Sequence, residues 1–193
     1  MNRLALGTSV ILISAGIASN VLADGDQHQK RWNKDTLAVH MIGTDIVEER
    51  IVPDIDGDGV DDLARCFDME LRDVRTGRVI GHGADCVANL TPVGSGLQID
   101  ATYYLELNNG SLVIRGKNSA QPVLRETVTT VDGYPYTHSV AASGDWDAML
   151  EGTGIYADRG GRLRVSGLMN ISNVLGTPED SAFLDLILLI KLD

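Results

Sequence analysis

Glycine, asparagine and aspartate cut this chain into short runs of β-forming residues, and no stretch keeps a 3.6-residue apolar period with caps at both ends. That pattern excludes a helical domain and predicts strands along nearly the whole length. Residues 36–52 are rich in β-branched side chains. Residues 63–72 alternate: Leu63, Phe67, Met69 and Leu71 fall on one face, and Cys66, Asp68, Glu70 and Arg72 on the other. Residues 77–90 follow, then 98–107, where Ile99, Ala101, Tyr103, Leu105 and Leu107 share a face. Asn108-Asn109-Gly110 marks a turn, after which 111–115 resumes a strand. Runs at 125–131, 137–142, 162–170 and 182–192 complete the series. Short strands so closely spaced make an all-β barrel or sandwich. The run 183–190 is almost continuously apolar, too short to span a membrane as a helix, and reads as a strand buried on both faces.

The first 23 residues read as a secretory signal. Arg3 supplies the positive start, 4–17 the apolar stretch, and Val21-Leu22-Ala23 the small-residue site before Asp24. Of 193 residues, 170 remain after cleavage, with 15 basic against 27 acidic side chains and a net charge of −12. The expectation is a secreted or periplasmic protein: a flexible segment over 24–35, then one barrel domain over 36–193. So acidic a chain repels phosphate backbones and anionic lipid surfaces, which argues against nucleic acid and membranes as partners.

Export makes a disulfide available to Cys66 and Cys86. Val74-Arg75-Thr76-Gly77-Arg78 suits a three-residue hairpin loop with Gly77 in the left-handed conformation. A loop pairing Val74 with Arg78 sets residues whose numbers sum to 152 opposite each other, and Cys66 and Cys86 satisfy that sum. The two thiols are therefore expected within bonding reach, provided no β-bulge intervenes.

The sharpest local motif is Asp54-Ile55-Asp56-Gly57-Asp58-Gly59-Val60-Asp61-Asp62. Oxygen ligands at loop positions 1, 3, 5 and 9, with glycine at 6, are what a hard cation requires. Asp54, Asp56, Asp58, the Val60 carbonyl and Asp62 form the candidate Ca²⁺ set, in a structural role; the alternative is a solvated acidic loop without an ion. Arg65 at position 12 departs from an EF-hand. No cofactor for chemistry is expected, since the four histidines are scattered and no zinc spacing occurs.

Three motifs occur in order along 36–170. Asp62-Leu63 with Asp68, Leu71, Gly81 and Ala84-Asp85-Cys86-Val87 is the first. Leu112-Val113-Ile114-Arg115-Gly116 is the second, and Gly152-Thr153-Gly154-Ile155-Tyr156 the third. Together they resemble the allene oxide cyclase and dirigent families. The resemblance implies an eight-stranded antiparallel barrel around a largely apolar cavity, often oligomeric, with 121–147 as an added hairpin or lid. It implies that Asp68 stands at a pocket asparagine, Cys86 at a pocket cysteine and Asn118 at a pocket tyrosine. The family's glutamate and asparagine of the first strand are replaced here by Met41 and Gly43.

Strand parity groups Asp68 with Glu70, and Cys86 with His82, Ala84 and Ala88. If both sets face inward, Asp68, Glu70 and His82 form a catalytic acid/base cluster in an apolar cavity, with carboxylate pKa values raised by burial. Otherwise Glu70 and His82 sit in water near the hairpin end. Cys86, Asn118, Tyr103 and Tyr136 complete the expected substrate-binding set. The leading reading is an isomerase, cyclase or stereo-directing protein acting on a small apolar or phenolic molecule. The alternatives are a non-catalytic carrier and a calcium-stabilised structural module.

Overall fold

The computed structural model describes residues 36–123, 135–145, 147–170 and 181–193, with strands but no α-helix among them. The expected signal, the segment 24–35 and the strand at 125–131 lie outside the described residues, as does the middle of the expected lid. Ten strands follow in chain order: β1 (Thr36–Ile46), β2 (Glu48–Val52), β3 (Asp62–Asp73), β4 (Val79–Val93) and β5 (Gly96–Leu107), then β6 (Gly110–Pro122), β7 (His138–Gly144), β8 (Met149–Gly152), β9 (Gly161–Asn170) and β10 (Ser181–Leu192). A single 3₁₀ turn, Gly154–Tyr156, separates β8 from β9.

Eight of the strands close into an antiparallel barrel in the order β1-β10-β9-β7-β6-β5-β4-β3, and β3 returns to β1. The closing seam is short: only Val39–Ile42 of β1 pair with Glu70–Asp73 of β3. Beyond it β3 changes partner, and Asp62–Cys66 pair with β2 instead. Gly43 stands where the partners part. A Cβ there would lie 2.9 Å from the Asp68 carbonyl oxygen and 3.1 Å from Met69 Cγ, so the close approach of β1 to β3 needs glycine. β2 and β8 are the two strands outside the ring; β8 pairs with the start of β6.

Successive side chains of a strand point to opposite faces, so each ring strand contributes one set to the interior. Phe67, Met69 and Leu71 of β3 face in, with Val87 of β4, Ile99, Ala101, Tyr103 and Leu105 of β5, and Leu112 and Ile114 of β6. From the other side come Val39, Met41, Leu163, Val165 and the even-numbered leucines of β10. An eight-stranded barrel is just wide enough for such side chains to fill, and these do.

A second, smaller cluster lies on the outer face of β3 and β4. Val52 and Ile55 cover Ala64, Cys66, Ala84, Cys86 and Ala88, with Tyr104 packed alongside. The loop after β2 thus folds back over the ring, and Ile55 is fully buried as its plug.

The hairpin reading holds in its consequence and differs in its detail. Gly77 takes the left-handed conformation at φ +67°. The loop closes on Asp73 and Arg78, where the Asp73 amide donates to the Arg78 carbonyl at 2.9 Å. That is one residue out of the expected register. A bulge at Ile80, between the pairs Leu71–Gly81 and Arg72–Val79, restores it, so Cys66 faces Cys86.

The last strand departs from expectation. Leu184, Leu186, Leu188 and Ile190 are in the core, but Ile187 and Leu189 point outward and remain 41 % and 46 % exposed. Among the described residues only Tyr136 covers this second face, at its Phe183–Asp185 end, because the ring offers β10 only one interior.

Candidate ligand groove on the outer face

Register brings the expected catalytic residues together. Glu70 of β3 pairs with His82 of β4, which pairs with Glu106 of β5, so one row across three strands reads Glu70–His82–Glu106. The next row reads Asp68–Ala84–Tyr104, and the one after it Cys66–Cys86–Thr102. Cross-strand neighbours on one face sit about 5 Å apart at Cβ. The parity grouping read from the sequence is therefore present in space.

Its direction is the reverse of that expected. Asp68, Glu70, His82 and Cys86 face the outside of the ring, because Phe67, Met69, Leu71 and Val87 take the inside. Burying the larger apolar set of β3 turns the alternate residues outward. There they line a groove of about 860 Å³ with Ile42, Ile51, Val52, Pro53 and Tyr104 as its apolar walls, and Gly83, Ala84 and Cys86 toward its floor.

Each charge in the groove has its own setting. Arg50 of β2 grips Asp68 with two hydrogen bonds, Nη1 to Oδ1 at 3.0 Å and Nη2 to Oδ2 at 3.1 Å. It also reaches Glu48 Oε2 through Nη2 at 2.8 Å and Nε at 3.2 Å. The Asp68 bonds first, then those to Glu48, hold its guanidinium above the ordinary arginine range. Glu70 accepts from Arg72 Nε at 2.6 Å. His82 and Glu106 are exposed. The arrangement offers carboxylate acceptors and an imidazole that can donate or accept, beside an apolar wall.

Cys86 is bonded to Cys66, with Cα atoms 4.0 Å apart, and no described cysteine is free. Cys86 thus supplies a covalent floor to the groove and no thiol.

Of the other expected binding residues, Tyr103 and Asn118 do face the interior. They bond each other: Asn118 Nδ2 lies 2.8 Å from Tyr103 Oη, which lies 3.1 Å from Asn118 Oδ1. Tyr103 pairs across the ladder with Asp85, an inward residue of β4 that the sequence reading passed over. Asp85 is 1 % exposed, and its Oδ1 has no hydrogen-bond partner among the described residues. Burial pushes its carboxyl from 3.8 up to about 7. Burial, and after it the Asp85 charge, pushes the Tyr103 phenol well up.

Tyr136 lies apart from both sites. Its hydroxyl donates to Asp185 Oδ2 at 3.0 Å, and the other oxygen of that carboxylate meets His40 Nε2 at 2.7 Å. Burial, then the bond and charge of Asp185, push its phenol up to about 12.

In the acidic loop, Asp54, Asp56 and Asp58 each bring one oxygen to within 4.8 Å of the others. Gly57 and Gly59 take φ values of +88° and +90°. The carboxylates also accept from loop amides: Asp54 from Gly57 and Gly59, Asp56 from Asp58, and Asp58 from Val60. Asp62 is occupied differently, its Oδ2 accepting from the Ile55 amide at 2.6 Å, and it does not join the three.

Sequence reasoning missed Arg50, Tyr104 and Glu106 in the groove. Glu106 lies one strand further, past the Val93–Gly96 turn and a register shift between Ala88 and Thr91, so a parity count through that turn would have pointed to Leu107 instead. Arg50 carried no signal, because no periodicity shows which strand a splayed edge segment will join.

The ring defines the chain as a closed eight-stranded antiparallel β-barrel protein. No protein-family model matches it, and no curated protein does. Among solved structures it is similar to a pyocyanin demethylase, with a TM-score of 0.42 and 18 % identity over 82 % of this chain and 99 % of that one.

Proposed function

We infer that this is an exported small-molecule-binding barrel protein whose ligand lies in the outer groove. The observation that carries the reading is the row Glu70–His82–Glu106 beside the apolar wall of Ile42, Ile51, Val52 and Tyr104. A small phenolic or otherwise partly apolar molecule with a hydrogen-bond donor fits that chemistry. Its body would cover the wall and its donor would meet a carboxylate. The Cys66–Cys86 bond fits an oxidising compartment, which supports export.

The second reading is proton transfer on the same ligand, as in an isomerase or cyclase. It is favoured by an imidazole placed between two carboxylates, which can pass a proton without a cofactor. The three motifs that resemble the allene oxide cyclase and dirigent families support it too. The acidic loop is assigned to Ca²⁺, held by Asp54, Asp56 and Asp58, where it would brace the segment that buries Ile55.

Native mass spectrometry of protein from its source identifies the ligand, and calorimetry with that compound measures its affinity. His82→Ala and Glu70→Gln should each weaken binding by about 10-fold or more, the worth of one hydrogen bond to a charged group. Unchanged affinity in both variants would remove the groove from the reading. Retained binding with lost turnover in His82→Ala would favour the enzyme over the carrier.

A further inference from the structure

The outer face of β10 repeats a pattern with an internal symmetry. Phe183, Asp185, Ile187, Leu189 and Lys191 alternate outward; Tyr136 lies against Phe183 and Asp185, whose carboxylate also meets His40, and the stretch from Asp185 on reads acidic, apolar, apolar, basic. Ile187 and Leu189 are 41 % and 46 % exposed, at the centre of a strand whose other face is fully in the core. A strand apolar on both faces is normally covered on both. Among the described residues, Ile187 and Leu189 have no such cover.

We propose that a second copy of this chain covers them, related by a two-fold axis that passes over Leu188 perpendicular to the strands. The argument is charge complementarity, and it also selects the orientation. Such an axis runs the two β10 strands antiparallel, face to face, so that Ile187 of each copy meets Leu189 of the other and Asp185 meets Lys191. The flanking strands follow from the ladder. Arg164 lies beside Leu189 and Ser166 beside Ile187, so Arg164 meets Ser166 across the axis. Arg162 lies beside Lys191 and Leu168 beside Asp185, so Arg162 meets Leu168. On β1, Ala38 meets His40 and Thr36 meets Ile42 by the same count. No like charges face each other on any of the three strands.

The competing two-fold, with its axis along the strand, sets Asp185 against Asp185 and Lys191 against Lys191. Facing like charges are destabilising, so the antiparallel pairing wins. The basic Arg162, Arg164 and Lys191 of this face also offset part of the general repulsion between two exported chains of net charge −12.

Sedimentation equilibrium of the exported protein, with its disulfide intact, tests the proposal. The expected mass is that of two chains. Ile187→Glu and Leu189→Glu, both at exposed positions that leave the core alone, should each yield a single-chain mass with an unchanged circular dichroism spectrum. Lys191→Glu should raise the dimer dissociation constant by about 10-fold or more through facing Asp185 charges. A single-chain mass for the unaltered protein would give the face to another occupant and overturn the proposal. So would a dimer that survives both glutamate variants. A dissociation constant unmoved by Lys191→Glu would overturn the two-fold register.

Discussion

Asp85 should make the barrel less stable as the pH rises through neutrality. The carboxyl is 1 % exposed, pairs across the ladder with Phe67 on one side and Tyr103 on the other, and has an oxygen without a partner among the described residues. Burial raises its pKa from 3.8 to about 7. In the unfolded chain it titrates near 3.9. Below about pH 4 the group is protonated in both states, and its full contribution to stability is present. Between about pH 4 and 7 the unfolded chain releases the proton while the folded chain keeps it, so stability falls by about 1.4 kcal/mol per pH unit. Over about three units the loss reaches roughly 4 kcal/mol, and above pH 7 it is complete. Asp85→Asn keeps the shape and a polar head but cannot ionise. The variant should match the parent near pH 4 and exceed it by as much as ~4 kcal/mol above pH 7, less the amide's own burial cost. In a domain of this size that is roughly 8–16 °C in melting temperature. Guanidinium unfolding of both proteins, at several pH values with the disulfide intact, isolates Asp85 from the other acidic groups by difference. Parallel pH profiles for the two proteins would refute the reasoning, whatever their common slope.

Two further predictions concern the outer cover of the ring. Calcium at about 100 times its dissociation constant should add roughly 2.7 kcal/mol, or about 5–10 °C in melting temperature, and Asp56→Asn with Asp58→Asn should abolish the gain. Equal melting points in chelator and in Ca²⁺ would leave the loop without an ion. Replacing Cys66 and Cys86 together by alanine opens a loop closed over a sequence separation of 20, which in the chain-entropy account removes about 3 kcal/mol. A double variant as stable as the parent in denaturant titration would show the bond to be neutral for stability.

The ring was legible because its strands alternate and its turns carry glycine and asparagine. The Cys66–Cys86 pairing was legible through parity, although the loop closes on Asp73–Arg78 and the bulge at Ile80 compensates. Two one-residue departures cancelled, and no sequence rule foretold either. The facing of β3 and β4 was misread for a physical reason. The pattern Phe67, Met69, Leu71 already marked the buried face by its apolar area. The family resemblance pulled Cys86 inward against it, and the pocket residues followed. Asp85 was passed over in the same step, as the alternate neighbour of a cysteine assumed to face in. For β10, the almost continuous apolar run suggested burial on both faces, but the ring buries only Leu184, Leu186, Leu188 and Ile190 and leaves Ile187 and Leu189 exposed.

The common cause beneath these outcomes is the capacity of an eight-stranded ring. Its lumen is filled by one inward set from each strand, and here that set includes Phe67, Met69, Tyr103, Leu105, Leu112 and Leu163. Whatever else the chain presents to other molecules must use the outer residues, which alternate with the core. On β3, β4 and β5 those are carboxylates and an imidazole beside an edge strand that has peeled away, and they make a groove. On β10 they are Ile187 and Leu189 between Asp185 and Lys191, and they make an exposed apolar patch. The two surfaces meet at β1, where Ile42 pairs with Glu70 on the groove side and with Asp185 on the other. One row of outward residues, Leu168–Asp185–Ile42–Glu70–His82–Glu106, therefore runs across six strands from one surface to the other. Ile187 and Leu189 do not line the groove, so Ile187→Glu and Leu189→Glu should leave the affinity of any groove ligand unchanged in calorimetry.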